Sequence, residues 1–443
     1  MKKSLGWFLM VVFLIVTISV FGEKVKITWW YESVTPTSLK AIEDNLIKPY
    51  EDTHPNVKID ILVKNQLQEV LRTAIIAGEG PDIIMTMGPA EANRFAAAGY
   101  LLPLDEYLTK YCLTDEIPDI FLDIGKVGDN IYSIPKSIES MGVIYNKSLF
   151  EENGWKKPTN SKEWIELLNN IKEKGLIPIA AGNANWKPTN EHYVTVYLNH
   201  YAGPENVYKA LKGELSWSDP IFVDAIKMLK SDFKNFWPDY SIYSVLTQED
   251  FVPLVSMRQS AMFIVGTWGF QWLTDPNYWP SNDEAGWFPF PNLREKVEYP
   301  IVDIGIGSTL SVNKNSPNAE EAAEFLMWIL TYKEGIGRLL RDFPGEWIMP
   351  VEIPEEVVPS DVDPIFYEHV QIQYNLLEKD KYGYTTWTFL GPDTWQWCYE
   401  GIEKVWLGKI TPEEYMKKWD EIFQEELKKG LVPPVPERRE NSQ

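Results

Sequence analysis

Gly78-Glu-Gly-Pro-Asp-Ile-Ile-Met85 is the stretch on which the fold class turns. Two glycines and a proline make a tight turn, and the turn feeds a short apolar strand. Towards the N-terminus, Leu67, Val70, Leu71, Ala74 and Ile75 recur at helical spacing and stop at Gly78. Before them Val57-Lys-Ile-Asp-Ile-Leu-Val63 alternates as a strand does. Thr35-Pro36 opens an earlier helix with Leu39, Ile42, Leu46, Ile47 and Tyr50 on one face, and His54-Pro55 closes it. Val25-Lys-Ile-Thr-Trp-Trp-Tyr31 is a β-rich run ahead of that. Strand, helix, strand, helix, strand predicts βαβ units and a mainly parallel sheet, the α/β class.

A second α/β region begins after the polar turn Gly128-Asp-Asn130. Ile131 to Pro135 and Gly142 to Tyr145 are apolar runs, with Lys136-Ser-Ile-Glu139 between them. Helices are expected around 162–174, 190–200, 220–233 and 248–258, the third started by Ser218 and Pro220. Ile301 to Val312 returns to strand character, broken by Gly305 and Gly307. Ser316-Pro317 starts a helix carrying Ala322, Phe325, Leu326 and Ile329, and two more helices lie near 393–407 and 412–428. The tail from Arg438 to Gln443 is polar and expected to be loose.

The chain has 443 residues, 44% hydrophobic and 24% charged, which suits a globular protein with a sizeable core. Its net charge of −22, from 42 basic and 64 acidic residues, disfavours nucleic acid and anionic membranes as partners. Lys2 and Lys3 precede an apolar run from Leu5 to Phe21, and Val20-Phe21-Gly22 supplies a cleavage context. The reading is a secretory signal peptide over 1–22, against an N-terminal membrane anchor, for which about 17 apolar residues is borderline. No Cys follows that run, so a lipid anchor is not expected. Cys112 and Cys398 form no framework and no metal spacing; one bridge or two thiols both stand.

Met257 to Phe270 contains the apolar run Ala261 to Val265, ended by Gly266 and followed by Thr267 and Trp268. In open α/β sheets ligands sit at the carboxyl ends of strands, where Trp268 would offer a flat apolar face. On this stretch alone a Trp at that place is read first as core.

Several segments in order resemble the extracellular solute-binding proteins of carbohydrate ABC transporters, the maltose-binding-protein-like family. They are Gly78–Ile84, Ile134-Pro-Lys-Ser-Ile-Glu-Ser-Met-Gly-Val-Ile-Tyr-Asn-Lys147, Ser260-Ala-Met with Gly266-Thr-Trp268, Ser316–Leu326 and Gly408-Lys-Ile-Thr-Pro-Glu-Glu414. The resemblance implies a two-lobed type II periplasmic-binding-protein-like fold, each lobe a mostly parallel sheet flanked by helices. The lobes would be 24–137 plus 304–344 and 138–303 plus 345–430, with 431–443 a polar tail. Lys136–Ser140 and Val302–Gly307 would be the hinge strands. A sugar or oligosaccharide would bind in the cleft and pass to a membrane permease, the receptor being periplasmic and monomeric.

The resemblance carries site residues over one position at a time. Trp268 matches the aromatic platform, which tips its reading from core to ligand. Glu139 falls near the hinge, where a carboxylate can take sugar hydroxyls. Trp395 matches a stacking Trp on the late helix, with Tyr399 a nearby polar contact on the same helix face. Trp186 lies in a loop supplying further contacts, and Glu32 follows the first strand where polar cleft residues stand. Gly307 would either bring backbone near the ligand or relieve a strand bend. Thr86 stands where this family has a cleft Trp, and the charged pair usual after the first strand is not evident. Both departures count against maltose itself.

A secreted glycoside hydrolase would want the same residue types, with two carboxylates about 5 to 10 Å apart. Sixty-four acids supply such candidates anywhere, so their presence does not discriminate. No Ser/His/Asp, zinc or phosphate-loop motif stands out. His192 and His200, the one close pair among four histidines, are spaced wrongly for a helical metal site. A binding protein without catalytic residues, metal or cofactor is therefore expected.

Overall fold

The computed structural model describes residues 24–32, 34–184, 187, 189–435 and 437. The expected signal peptide and Trp186 lie outside the described residues. The strands are β1 (Val25–Tyr31), β2 (Val57–Val63), β3 (Ile83–Thr86), β4 (Lys126–Val127), β5 (Asn130–Ile131) and β6 (Ile134–Asn146). They continue with β7 (Ile177–Ile179), β8 (Ser260–Gly266), β9 (Ala285–Phe288), β10 (Val302–Val312) and β11 (Tyr382–Tyr384). Among the described residues, nine of these join one sheet in the order β2-β1-β3-β10-β6-β8-β7, with β11 on β10 and β9 on β6.

The parallel pairs are the ones the alternation and helix spacing predict. β1 buries Ile27, Trp29 and Tyr31 and pairs in parallel with both β2 and β3. β3 is buried on both faces, hence its unbroken apolar run. Asp82, at the end of the opening turn, locks this register. Its Oδ2 accepts from the Thr28 backbone N at 2.6 Å and the Thr28 hydroxyl at 2.7 Å.

The helices form where amphipathic stripes meet caps. Ser161–Glu173 buries Trp164, Leu167, Leu168 and Ile171, and Asn160 caps it by accepting from Glu163 N at 3.1 Å. Pro412–Lys428 starts with a Thr411/Glu414 capping box. Two starts differ from expectation. Asp219, not Ser218, caps Pro220–Phe236. Ser316 instead bonds Asp82, and its helix runs from Ala319 to Thr331. Both cysteines are free, Cys112 exposed and Cys398 buried, so the two-thiol alternative holds.

Two long strands tie the molecule together. β6 pairs through Ile134–Ser140 with β10 and through Met141–Asn146 with β8 and β9. β10 pairs with β11 at one end and β3 at the other. The two expected crossings lie against each other, Ile304 opposite Ser140, Gly305 opposite Glu139 and Ile306 opposite Ile138. Next to them the register shifts twice: Gly307 has no partner on β6, and Lys136 has none on β10. A bulge adds twist and re-aims side chains. Here it lies beside the site described next, which Gly307 lines. Gly305 and Gly307 do not break β10, and Lys136-Ser-Ile-Glu139 does not break β6.

Candidate functional site

A cleft of about 980 Å³ opens beside this crossing. One side is formed by Glu32, Gln68, Arg72, Met87, Glu91 and Arg94, the other by Glu191, His192, Trp268, Gln271, Trp387 and Trp395. Glu139, Gly307, Ser308 and Glu346 lie between.

The floor is electrostatic. Lys136 is fully buried, donates to the Tyr31 hydroxyl at 2.9 Å and lies 3.5 Å from a Glu346 oxygen. Burial alone would pull the Lys136 pKa down, but Tyr31, Glu346 and Glu32 together hold it above the ordinary lysine value. Burial pushes half-buried Glu32 up to about 7, with Lys136 opposing and Glu346 reinforcing. Glu139 is raised well above the usual carboxylate range by burial, then by Glu346, again against Lys136. Gly307 is required directly beneath it, because a Cβ there would sit 1.8 Å from Glu139 Oε1. Gly307→Ala is accordingly expected to displace the carboxylate and weaken ligand binding about tenfold, measured by titration with the fold checked by circular dichroism.

The wall is aromatic. Trp268 follows β8 on the short 3₁₀ helix Thr267–Leu273, and its ring folds back over Gly266, where a Cβ would lie 2.1 Å from it. It stays half-buried and packs edge-on against Trp387, ring centroids 5.9 Å apart, with His192 at 5.1 Å. Trp395 donates its indole N–H to Glu191 Oε2 at 2.6 Å, and the Thr386 hydroxyl donates to the same oxygen at 3.0 Å. Burial lifts Glu191 to about 8 despite those bonds, and burial drops His192 to about 3. Three indoles beside carboxylates can hold both the apolar faces and the polar rim of a small solute.

Of the residues singled out from sequence, Glu32, Glu139, Trp268, Gly307 and Trp395 line this one cleft. Two do not. Thr86 is fully buried, its hydroxyl 2.7 Å from the Thr309 hydroxyl and 2.8 Å from the Gly88 carbonyl, and Met87 takes the cleft position. Tyr399 packs edge-on against Trp395, ring centroids 5.3 Å apart, while its backbone carbonyl accepts from Asn190. Sequence reasoning missed Glu191, His192, Trp387 and Glu346. Their helices and loops carry no local signal, and they converge only through contacts distant in sequence. Among the described residues no cluster suited to a metal ion exists, and no helix is long and apolar enough to cross a membrane.

With this geometry in hand, the chain can be compared with known proteins. A maltotriose-binding protein of Pyrococcus abyssi is 24% identical over 368 residues, 81% of this chain and 74% of that protein. An uncharacterised ABC-transporter extracellular-binding protein of Pyrococcus horikoshii is 26% identical over 272 residues, 59% of this chain and 59% of that one. Among solved structures, a chitin oligosaccharide binding protein matches with a TM-score of 0.76 at 22% identity, covering 91% of this chain and 99% of its own. Likeness at that identity speaks for the fold, which is of the type II periplasmic-binding-protein kind. The family model for bacterial extracellular solute-binding proteins matches residues 33–336, more than half of the sequence, and the chain belongs to that family.

Proposed function

We propose that this protein is a receptor that binds a sugar or short oligosaccharide in the cleft and delivers it to an ABC-transporter permease. The observation that carries this reading is the indole wall of Trp268, Trp387 and Trp395 facing the carboxylate of Glu139 across one open volume. Pyranose rings present apolar C–H faces and hydroxyl rims, which flat aromatics and carboxylates match in turn. Relatives named for maltotriose and chitin oligosaccharides agree with it.

In this reading the lobes are 24–137 with 304–344 and 138–303 with 345–430, and the paired segments of β6 and β10 form the hinge. The mature receptor acts outside the cytoplasm as a monomer and catalyses nothing. Glu32, Glu139, Gly307, Trp268 and Trp395 contact the ligand, joined by Glu191 and Trp387.

Titrating the purified protein with mono- and oligosaccharides, following Trp fluorescence and analysing the recovered sugar, tests the proposal. Saturable binding with intact sugar returned is expected; cleaved sugar would favour the hydrolase instead, and silence across the panel would remove the saccharide. Trp268→Ala should weaken binding by about 1–3 kcal/mol with the fold intact. Unchanged affinity would take Trp268 out of the site.

A further inference from the structure

Three carboxylates, Glu32, Glu139 and Glu346, line the cleft, and the cation that acts on all three, Lys136, is fully buried. That cation is already committed, bonded to Tyr31 at 2.9 Å and paired with Glu346 at 3.5 Å while fully buried. It lies against the Tyr31 and Trp347 rings, with no exposed surface to offer a ligand. Glu139 is different. It is only 8% exposed, it lines the cleft, and its carboxylate forms no hydrogen bond among the described residues. A buried carboxylate left without donors is costly, so this one has the character of a group awaiting its partner.

Of the other acids facing the cleft, Glu91, Glu191 and Glu346 are held by partners, while Glu32 forms no ion pair or hydrogen bond among the described residues. Glu91 is held by Arg72 at 2.9 Å and Arg94 at 3.4 Å, and Glu191 by Trp395 and Thr386. What remains for a ligand is the Glu139 carboxyl, which burial holds above the usual carboxylate range and which a cationic donor would draw into its ionised form. A sugar hydroxyl would supply a donor and leave an ionised Glu139 without a counter-charge. A protonated amine supplies the donor and the counter-charge together, and charge-assisted bonds of this kind are roughly twice as strong as neutral ones. The indole faces nearby also favour a cation. A chain of net charge −22 draws cationic solutes from a distance.

We infer that the ligand is an aminated saccharide, its ammonium group seated on Glu139 within the field of Glu32 and Glu346 and its ring faces against the indole wall. This rests on the saccharide reading above and narrows it.

Titration of the purified chain, at low salt and again in half-molar sodium chloride, decides it. The probes are glucosamine, galactosamine and the β-1,4-linked glucosamine dimer, beside their hydroxyl counterparts and the N-acetylated dimer. The amines should bind at least about tenfold more tightly than either counterpart, with the gap narrowing in salt. In Glu139→Gln the ratio of amine to hydroxyl affinity should fall towards one. Glu32→Gln, at a half-buried position, should reduce it in part. Equal or tighter binding of the hydroxyl or acetylated forms would overturn the aminated ligand and leave the sugar receptor standing. An amine preference that survives Glu139→Gln would overturn the seat assigned to it. Silence from every saccharide would overturn the receptor reading and this inference with it.

Discussion

Lys136→Met is expected to destabilise the fold by about 3–5 kcal/mol at pH 8, and by clearly less at pH 5. Methionine keeps most of the length that packs against the Tyr31 and Trp347 rings, so the substitution chiefly removes charge. In the native protein Glu32 rises to about 7 and Glu139 well above its ordinary value, in both cases by burial first, with Lys136 holding them down. A carboxyl whose folded pKa is raised holds its proton more firmly in the folded state. Its contribution to stability is complete below the unfolded value and is lost as pH climbs through the folded one. Removing Lys136 takes away the cation that lowers both groups, moves the folded values further up and deepens the loss above pH 7. At pH 5 both groups hold protons and little charge is left uncompensated. Urea unfolding of both proteins at the two pH values measures this. An equal loss at both would mean that Lys136 acts through its bond to Tyr31 and its packing, not through its charge on the two carboxyls.

The same cluster shows where reading the sequence stopped. β1 and β2 could be placed to the residue, because a strand buried on one face alternates and nothing else in those stretches competes. The long strands were harder. Lys136-Ser-Ile-Glu139 looks like a polar interruption, yet β6 runs unbroken through it. Of these polar groups Lys136 is bonded by Tyr31, and the neighbouring Ser140 by Gln373 at 2.8 Å and His369 at 3.1 Å. Such partners lie more than 100 residues away, beyond the reach of any local pattern. Gly305 and Gly307 likewise read as breaks, although each is small because a neighbour needs the space: Thr385 and Trp387 at one, Glu139 at the other.

Site residues divide along the same line. Trp268 is recognisable at the end of an apolar run closed by glycine and Trp395 by its distance from Gly408, but only the family resemblance gives either of them a ligand-facing role. Thr86 was misplaced because one residue along a strand exchanges one face for the other. Glu191 was invisible for a further reason. Its helix, Thr189–Tyr197, is buried on every side and shows no amphipathic stripe, so no face of it points to a site.

Glu191→Gln should gain on the wild type by on the order of 3 kcal/mol between pH 5 and pH 8. Glu191 is 2% exposed, and burial lifts it to about 8 against the bonds from Trp395 and Thr386. Being raised, it contributes stability that is present below about 4.5 and lost as pH rises towards 8. Glutamine stays neutral, its carbonyl accepting from the Trp395 indole and the Thr386 hydroxyl as Oε2 does, so that loss is absent. His192 next door runs the other way: burial drops it to about 3, so its contribution is present above the ordinary histidine value and lost as pH falls towards 3. His192 is common to both proteins and cancels in the difference, whereas Glu139, which Glu191 helps to raise, would come down in the variant and add to the gain. Urea unfolding at the two pH values, with unchanged slope, reports the difference directly. A difference flat with pH would mean that Glu191 is ionised throughout. The Trp395 indole would then rest on an anion, and the cleft wall would carry a fixed negative charge.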